Sequence, residues 1–184
     1  MILHPYKIVF SGSMGAGKSA AIQSLSDIPV FQTEAMNTDT DAHAKMLTTV
    51  GIDYGEFSLD DGTKIGLYGT PGQERFDFIW NVICQGALGA IILIDHSTTR
   101  ALDDLKFYLD TFRKHSQNLI IAVTHVDLKS ESETHQYREF LNQQSQNYPL
   151  FFVDAREKDD VLLLIDTLIS RSEVFSHLGQ LNHA

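Results

Sequence analysis

Cysteine is nearly missing from this chain. Cys84 stands alone among 184 residues, so no internal disulfide can staple the fold, and a reducing compartment is expected. Proline is scarce too, with four in all and no proline-rich linker, so one domain spanning residues 1–184 is expected. Basic residues are the minority, 14 against 24 acidic, for a net charge of −10. A nucleic-acid binder needs a basic face, and a chain this acidic gains nothing electrostatically from an anionic membrane. The one long apolar run, Ala87 to Ile94, has strand length and falls far short of the ~20 residues of a membrane span. Ile2-Leu3-His4-Pro5 is too short and proline-broken for a signal peptide. Met1-Ile2 cannot be myristoylated, and the Gln180 to Ala184 end has no cysteine to prenylate. The eight histidines show no H-x-x-x-H or Cys/His spacing, which argues against a transition-metal site. The expectation is a soluble cytoplasmic protein with no integral membrane segment and no nucleic-acid partner.

What is present begins with Gly12 to Ser19, G-S-M-G-A-G-K-S, which fills the pattern G-x-x-x-x-G-K-[ST] of a phosphate-binding P-loop. Its glycines permit tight turns that aim successive N–H groups at phosphate oxygens. Lys18 is expected to reach the β- and γ-phosphates and the Ser19 hydroxyl to bind Mg²⁺. The start of the following helix adds its positive dipole end. Gly12, Ser13, Met14, Gly15, Ala16, Gly17, Lys18, Ser19 and Ala20 are therefore the expected nucleotide-binding stretch. Tyr6 to Phe10 reads as the strand leading in, and Ser19 to Ser26 as the helix leading out.

Farther along, strands and helices alternate, the signature of a doubly wound sheet. Phe31 to Thr48 is polar and without clear periodicity. Ile52 to Leu59 and Lys64 to Tyr68 flank Asp60-Asp61-Gly62, whose Asp-Gly step signals a hairpin. Ala90 to Asp95, Leu119 to Thr124 and Leu150 to Val153 read as buried strands. Leu102, Leu105, Leu109 and Phe112 mark one helix face, and Val161, Leu164, Ile165, Leu168 and Ile169 another, widened by Leu162 and Leu163. Ser130-x-x-Glu133 reads as a capping box opening a helix to about Gln144. The predicted fold is an α/β P-loop NTPase: a doubly wound, mostly parallel six-stranded sheet with one antiparallel strand and helices on both faces.

Leu67 to Phe76, L-Y-G-T-P-G-Q-E-R-F, resembles the second conserved box of Ras-like small GTPases, D-T-A-G-Q-E. The resemblance implies that the Gly72 N–H touches the γ-phosphate and that Gln73 orients the attacking water. Thr49-Val50-Gly51-Ile52-Asp53 resembles the first switch box, T-[IV]-G-[VI]-[DE], which gives Thr49 the roles of binding Mg²⁺ and sensing the γ-phosphate. Thr124-His125-Val126-Asp127 stands in the place of N-K-x-D. A carboxylate there accepts two hydrogen bonds from the guanine edge, which adenine cannot both offer. Asp127 is retained, while Thr124 can bond to the P-loop and His125 can lie along the base. Asp154-Ala155-Arg156 stands where that family has S-A-K, so Ala155 and Arg156 join the expected base site.

Two departures bear on mechanism. The Mg²⁺-ordering aspartate expected at the head of the second box is Gly69, and Met14 stands where a small residue is frequent. With Pro71 in the same box, the chain resembles the bacterial Ras-like GTPases grouped around MglA, which implies a roadblock-fold partner similar to MglB. Asp53 lies on the strand expected to pair with the one ending at Gly69. It is a candidate for part of the Mg²⁺ role, the alternative being an ordinary strand-end acid. Lys45 and Arg75 are candidate charge stabilisers by position only, the alternative for each being an ordinary solvated side chain, and Glu34, Asp39 and Asp41 read as solvated acids.

The resemblance thus implies a GTP/GDP-bound switch hydrolysing GTP with Mg²⁺ through Gln73, Thr49 and Lys18. Unassisted turnover is expected on the order of 10⁻⁴ to 10⁻² s⁻¹. A nucleotide-bound scaffold with negligible hydrolysis stays open, as does a P-loop kinase or ATPase.

Overall fold

A computed structural model describes residues 6–36, 49–72, 77–128 and 134–181. The expected alternation resolves into strands β1 (Tyr6–Gly12), β2 (Phe31–Met36), β3 (Thr49–Ser58), β4 (Lys64–Gly69), β5 (Gly89–Asp95), β6 (Leu119–Thr124) and β7 (Leu150–Phe152). Interleaved helices are α1 (Lys18–Leu25), α2 (Asp77–Cys84), α3 (Ala101–Phe112), α4 (His135–Asn142) and α5 (Lys158–Leu181). The sheet runs β2-β3-β4-β1-β5-β6-β7. β3 pairs antiparallel with both neighbours, and the remaining pairs are parallel.

Period-two alternation explains why helices cover both faces. Ile8 and Phe10 of β1, Ile91 and Leu93 of β5, and Ile120 and Ala122 of β6 point into one core with Ile22, Leu164, Ile165 and Leu168. Val9, Ile92, Ile94, Ile121 and Val123 point into the other, with Trp80, Leu105, Leu109 and Phe112. A strand buried on both sides has no polar face to show, which is why these segments read as continuous apolar runs. Leu162 packs against the first core, whereas Leu163 is exposed.

Among the described residues the sheet has seven strands, where six were expected. β2 lies inside the stretch from Phe31 to Thr48 that showed no periodicity, and it forms because its backbone pairs with β3 from Phe31↔Tyr54 to Met36↔Thr49. Tertiary pairing overrides the weak strand preference of Gln32, Glu34 and Ala35. The same pairing starts β3 at Thr49, ahead of the Ile52 read from sequence. The sequence reading named no helix over α2, which contributes the fully buried Trp80. The Ser130-x-x-Glu133 capping box lies outside the described residues, as do Lys45, Arg75, Asp39 and Asp41.

The hairpin reading has a specific structural consequence. Leu59 N–H donates to the Thr63 carbonyl at 2.9 Å and Gly62 N–H to the Leu59 carbonyl at 2.8 Å, with Gly62 at φ +83°. That turn sets Ser58 opposite Lys64, and counting back along both strands sets Asp53 opposite Gly69.

Candidate functional site: a P-loop between two cavities

β1 delivers the chain to the loop at the carboxyl end of the sheet, where open α/β folds place their ligands. Gly12 takes φ +134° with its α-carbon pressed on β5, so that a Cβ would lie 2.1 Å from the Leu93 carbonyl oxygen. Gly17 caps α1 at φ +96°, and a Cβ there would lie 2.9 Å from that of Ala155. Only glycine satisfies either position. Ala16 is fully buried in the core between them. Within the loop Ser13 Oγ is buried with no hydrogen-bond partner among the described residues, an orphan of the kind that ligands and water ordinarily relieve.

Lys18 is the charged centre. It is 8% exposed, and its ammonium donates to the carbonyls of Gly12 at 2.7 Å and Ser13 at 2.6 Å. Burial pushes its pKa down to about 8, against a smaller upward pull from Asp53. An ammonium has three protons to give, and two of the acceptors are accounted for by the loop itself.

On one side of the loop lies a cavity of about 480 Å³ lined by Met14, Lys18, Ser19, Gln32, Gly51, Asp53, Thr70, Pro71 and Gly72, among others. The second box closes onto it. Thr70 N–H donates to the Phe10 carbonyl at 2.8 Å, and the Thr70 hydroxyl donates to Ser11 Oγ at 3.1 Å. Gly72 is packed so tightly that a Cβ would lie 2.6 Å from Met14 N and 2.9 Å from Lys18 Nζ. Its carbonyl accepts from Tyr108 Oη at 3.2 Å, and Tyr108 leans on Trp80 with ring centroids 5.5 Å apart. The second box is thereby tied to the aromatic core under α2 and α3. Met14, 76% exposed, stands at the mouth.

Ser19 Oγ donates to Asp53 Oδ2 at the same cavity. Hydroxyl and carboxylate oxygens are the hard donors that Mg²⁺ prefers, and Mg²⁺ commonly takes one or two carboxylates with phosphates supplying the rest. Among the described residues no group of three or more His, Cys, Asp and Glu could hold a metal unaided. The donor set fits an ion whose coordination a phosphate completes.

On the other side of the loop is a cavity of about 560 Å³, lined by Gly15, Gly17, Ala20, Thr124 to Asp127 and Phe152 to Arg156. Thr124, buried at the end of β6, has its hydroxyl 3.1 Å from the Ala16 carbonyl and 3.2 Å from that of Ile94, so it ties the P-loop to β5 and β6. His125 follows at φ +57°, an uncommon conformation for a side chain of its size. Its Nδ1 lies 3.1 Å from Thr124 Oγ1 and 3.3 Å from Asp95 Oδ1. Asp127 is exposed on the one-turn 3₁₀ helix Val126–Leu128. Ala155 is buried opposite. Arg156 turns back to form a two-pronged pair with Asp154, Nε to Oδ1 at 2.9 Å, and its guanidinium holds the Asp154 carboxyl down to about 2. Arg156 therefore lines the cavity with its charge already engaged.

The structure brings the P-loop, Asp53, Gly72, Thr124, His125, Asp127, Ala155 and Arg156 to one rim of the sheet. Thr49 sits at the head of β3, and Gln73 lies outside the described residues. The sequence reading missed Asp95, which ends β5 buried beside the P-loop. It accepts from Ser97 N–H at 2.9 Å, and a Cβ on Gly15 would stand 3.8 Å from its Oδ2. The signal was available, since a carboxylate closing an all-apolar parallel strand falls where such sheets bind ligands.

The profile of a family described as conserved hypothetical ATP binding protein matches residues 29–173. The chain is also similar to Ras-related proteins. Rab-8B of Bos taurus is 28% identical over 116 residues, 61% of this chain and 50% of Rab-8B. SEC4 of Saccharomyces cerevisiae is 26% identical over 160 residues, covering 84% of this chain and 67% of SEC4. Rab11C of Nicotiana tabacum is 22% identical over 183 residues, 97% of this chain and 77% of Rab11C. The chain thus spans about half the length of the Rab-8B it matches.

Proposed function

We propose that this chain, which belongs to the family described as conserved hypothetical ATP binding protein, is a guanine-nucleotide switch of the Ras-like kind that hydrolyses GTP. One observation carries the reading: a P-loop with a cavity on each side, Lys18 and Ser19 facing one and Asp127 rimming the other. The similarity to Ras-related proteins supports it. A nucleotide laid across the loop puts its phosphates against Lys18 and its base between Ala155 and the Thr124 to Asp127 turn. Asp127 then selects guanine by accepting from two neighbouring donors on one edge.

The residues act as follows. P-loop N–H groups and Lys18 bind the phosphates, and a dianionic ligand raises the Lys18 pKa back from its value of about 8. Gln73 holds the attacking water in line, and Gly72 with Thr49 reports whether a third phosphate is present. Ser19 and Thr49 would hold a Mg²⁺ ion, which would supply charge neutralisation on the phosphates. Gly72 packs against Met14 and Lys18, where a third phosphate would anchor the second box. Loss of that phosphate removes the anchor and releases both switch segments, which is the order–disorder logic of a switch. The whole chain acts as one domain, in the cytoplasm. Gly69, Pro71, Gly72 and Gln73 support placing it with the MglA-like group and a roadblock-fold regulator.

ATP is the second reading, favoured by the family description and by Thr124 and His125 in the base box. Single-turnover phosphate release from GTP and from ATP separates the two. The expected result is release from GTP alone, on the order of 10⁻⁴ to 10⁻² s⁻¹, slowed at least tenfold in Gln73→Leu. Faster release from ATP, or no release from GTP, overturns the reading.

A further inference from the structure

We propose that Asp95, at the buried end of β5, is a positioning residue for base recognition. With Thr124 it fixes the proton of the His125 ring on Nδ1 and leaves Nε2 as a hydrogen-bond acceptor for the nucleotide. This rests on the nucleotide-switch reading and adds to it a second acceptor beside Asp127. The groups around Nδ1 allow one arrangement. The Thr124 hydroxyl lies 3.1 Å from the Ala16 carbonyl and 3.2 Å from the Ile94 carbonyl. Carbonyl oxygens only accept, so the single hydroxyl proton goes to them. Thr124 Oγ1 therefore meets His125 Nδ1, 3.1 Å away, as an acceptor. Asp95 Oδ1, which accepts from the Ser97 N–H at 2.9 Å and the Ser97 hydroxyl at 2.6 Å, lies 3.3 Å from the same nitrogen. Two acceptors face Nδ1, so Nδ1 carries the hydrogen. In the neutral ring Nε2 is then the bare nitrogen.

The fold makes this placement specific. Asp95 and Thr124 are partners in the parallel β5–β6 ladder, and His96 N–H donates to the Thr124 carbonyl at 3.0 Å. The chain leaves β6 at φ +57°, which starts the His125 side chain beside the Asp95 carboxylate. Asp95 is buried, whereas 37% of the His125 side chain is exposed, where it lines the base-side cavity with Asp127, Ala155 and Arg156. The two nitrogens of an imidazole point in nearly opposite directions, so with Nδ1 tied inward Nε2 points away from Thr124 and Asp95. Asp154, the other acid whose charge the ring feels, is already engaged by the Arg156 guanidinium. The turn thus offers a nucleotide two acceptors, Nε2 and the Asp127 carboxylate. Such a pair favours an edge rich in N–H or O–H donors, which guanine and the ribose hydroxyls supply.

The experiment is a double-mutant cycle on GDP affinity, read by calorimetry on the intact protein. Asp95→Ala lowers the affinity about 10-fold, the worth of about one hydrogen bond, and His125→Ala lowers it by at least as much. Because Asp95 acts through the ring, adding Asp95→Ala to His125→Ala costs less than about twofold more. Where alanine does not fold, Asp95→Asn takes its place. It keeps an acceptor for Ser97 and loses only the charge, so it lowers affinity about 3-fold, again only while His125 is present. An equal loss with and without His125 means that the carboxylate serves the Ser97 turn alone and overturns the proposal, as does unchanged affinity in folded Asp95→Ala. The second readout is nitrogen NMR of the His125 ring without nucleotide, which shows the proton on Nδ1 in the natural chain and a shift toward Nε2 in Asp95→Ala. A natural chain that does not bind GDP overturns the switch reading itself. A chain that binds GDP with the ring proton on Nε2 overturns only the role of Asp95.

Discussion

The two cavities meet at the P-loop yet are built by different means. The phosphate side is made of backbone and buried charge, with Lys18 and Asp53 each 8% exposed and Gly72 pressed within contact of the loop. On the base side, side chains arrive from the far ends of β6 and β7, and Asp127 and Arg156 stay exposed. Sterics leave the phosphate side almost no latitude, because a Cβ at Gly12 or Gly72 collides with main chain. On the base side the chemistry can be kept while residues change. Thr124 still anchors the P-loop through the Ala16 carbonyl at 3.1 Å, and the carboxylate of Asp127 is retained although Thr124 and His125 replace the residues expected before it. Rigidity lies on one side, and the proposed function puts selectivity on the other.

The sharpest way to break this contrast is at its shared cation. Lys18→Ala removes the buried ammonium that binds the Gly12 and Ser13 carbonyls. Stripping one partner from a buried charge pair costs about 3 kcal/mol or more, so calorimetry should find GTP affinity lower by about 100-fold or more. On the base side Asp127→Asn should weaken GDP by about 10- to 100-fold, the scale of hydrogen bonds to a charged group. It should also improve binding of xanthosine diphosphate, whose extra carbonyl suits an amide donor. Weakening of GDP and ADP alike would mean that the turn bearing Asp127 serves shape rather than selection.

Gly72→Ala is a finer probe. The new methyl would start 2.6 Å from Met14 N and must displace the second box. The preference for GTP over GDP should drop about tenfold, the worth of about one hydrogen bond, with GDP affinity moving less. The smallest effect is on pH. Free Lys18 has a pKa of about 8 in the fold against an ordinary 10.5. Below pH 8 the buried ammonium costs stability, and between pH 8 and 10.5 the unfolded chain holds the extra proton, so stability rises with pH. From pH 8 to 9 the gain is about 1 kcal/mol, readable by urea titration and missing in Lys18→Met.

The same contrast explains what was legible in the sequence. Gly12 to Ser19 could be read residue by residue because each fixed position answers a steric or electrostatic demand within one turn of chain. The Asp60-Asp61-Gly62 turn carried information well beyond itself, since a hairpin loop sets the whole ladder and through it the Asp53–Gly69 pair. β2 was not legible, because Phe31–Met36 is a strand only by virtue of β3 beside it. Asp95 was passed over because nothing local marks it. Its place beside Gly15 and His125 follows from the parallel packing of β5 between β1 and β6.

The central claim is that the base-side cavity selects guanine for a P-loop that grips phosphate without regard to base. Calorimetric titration of the natural protein with GDP and with ADP, at one Mg²⁺ concentration, tests it most directly. The account predicts GDP tighter by about 100-fold, near 3 kcal/mol. Equal affinities, or tighter ADP, would contradict it.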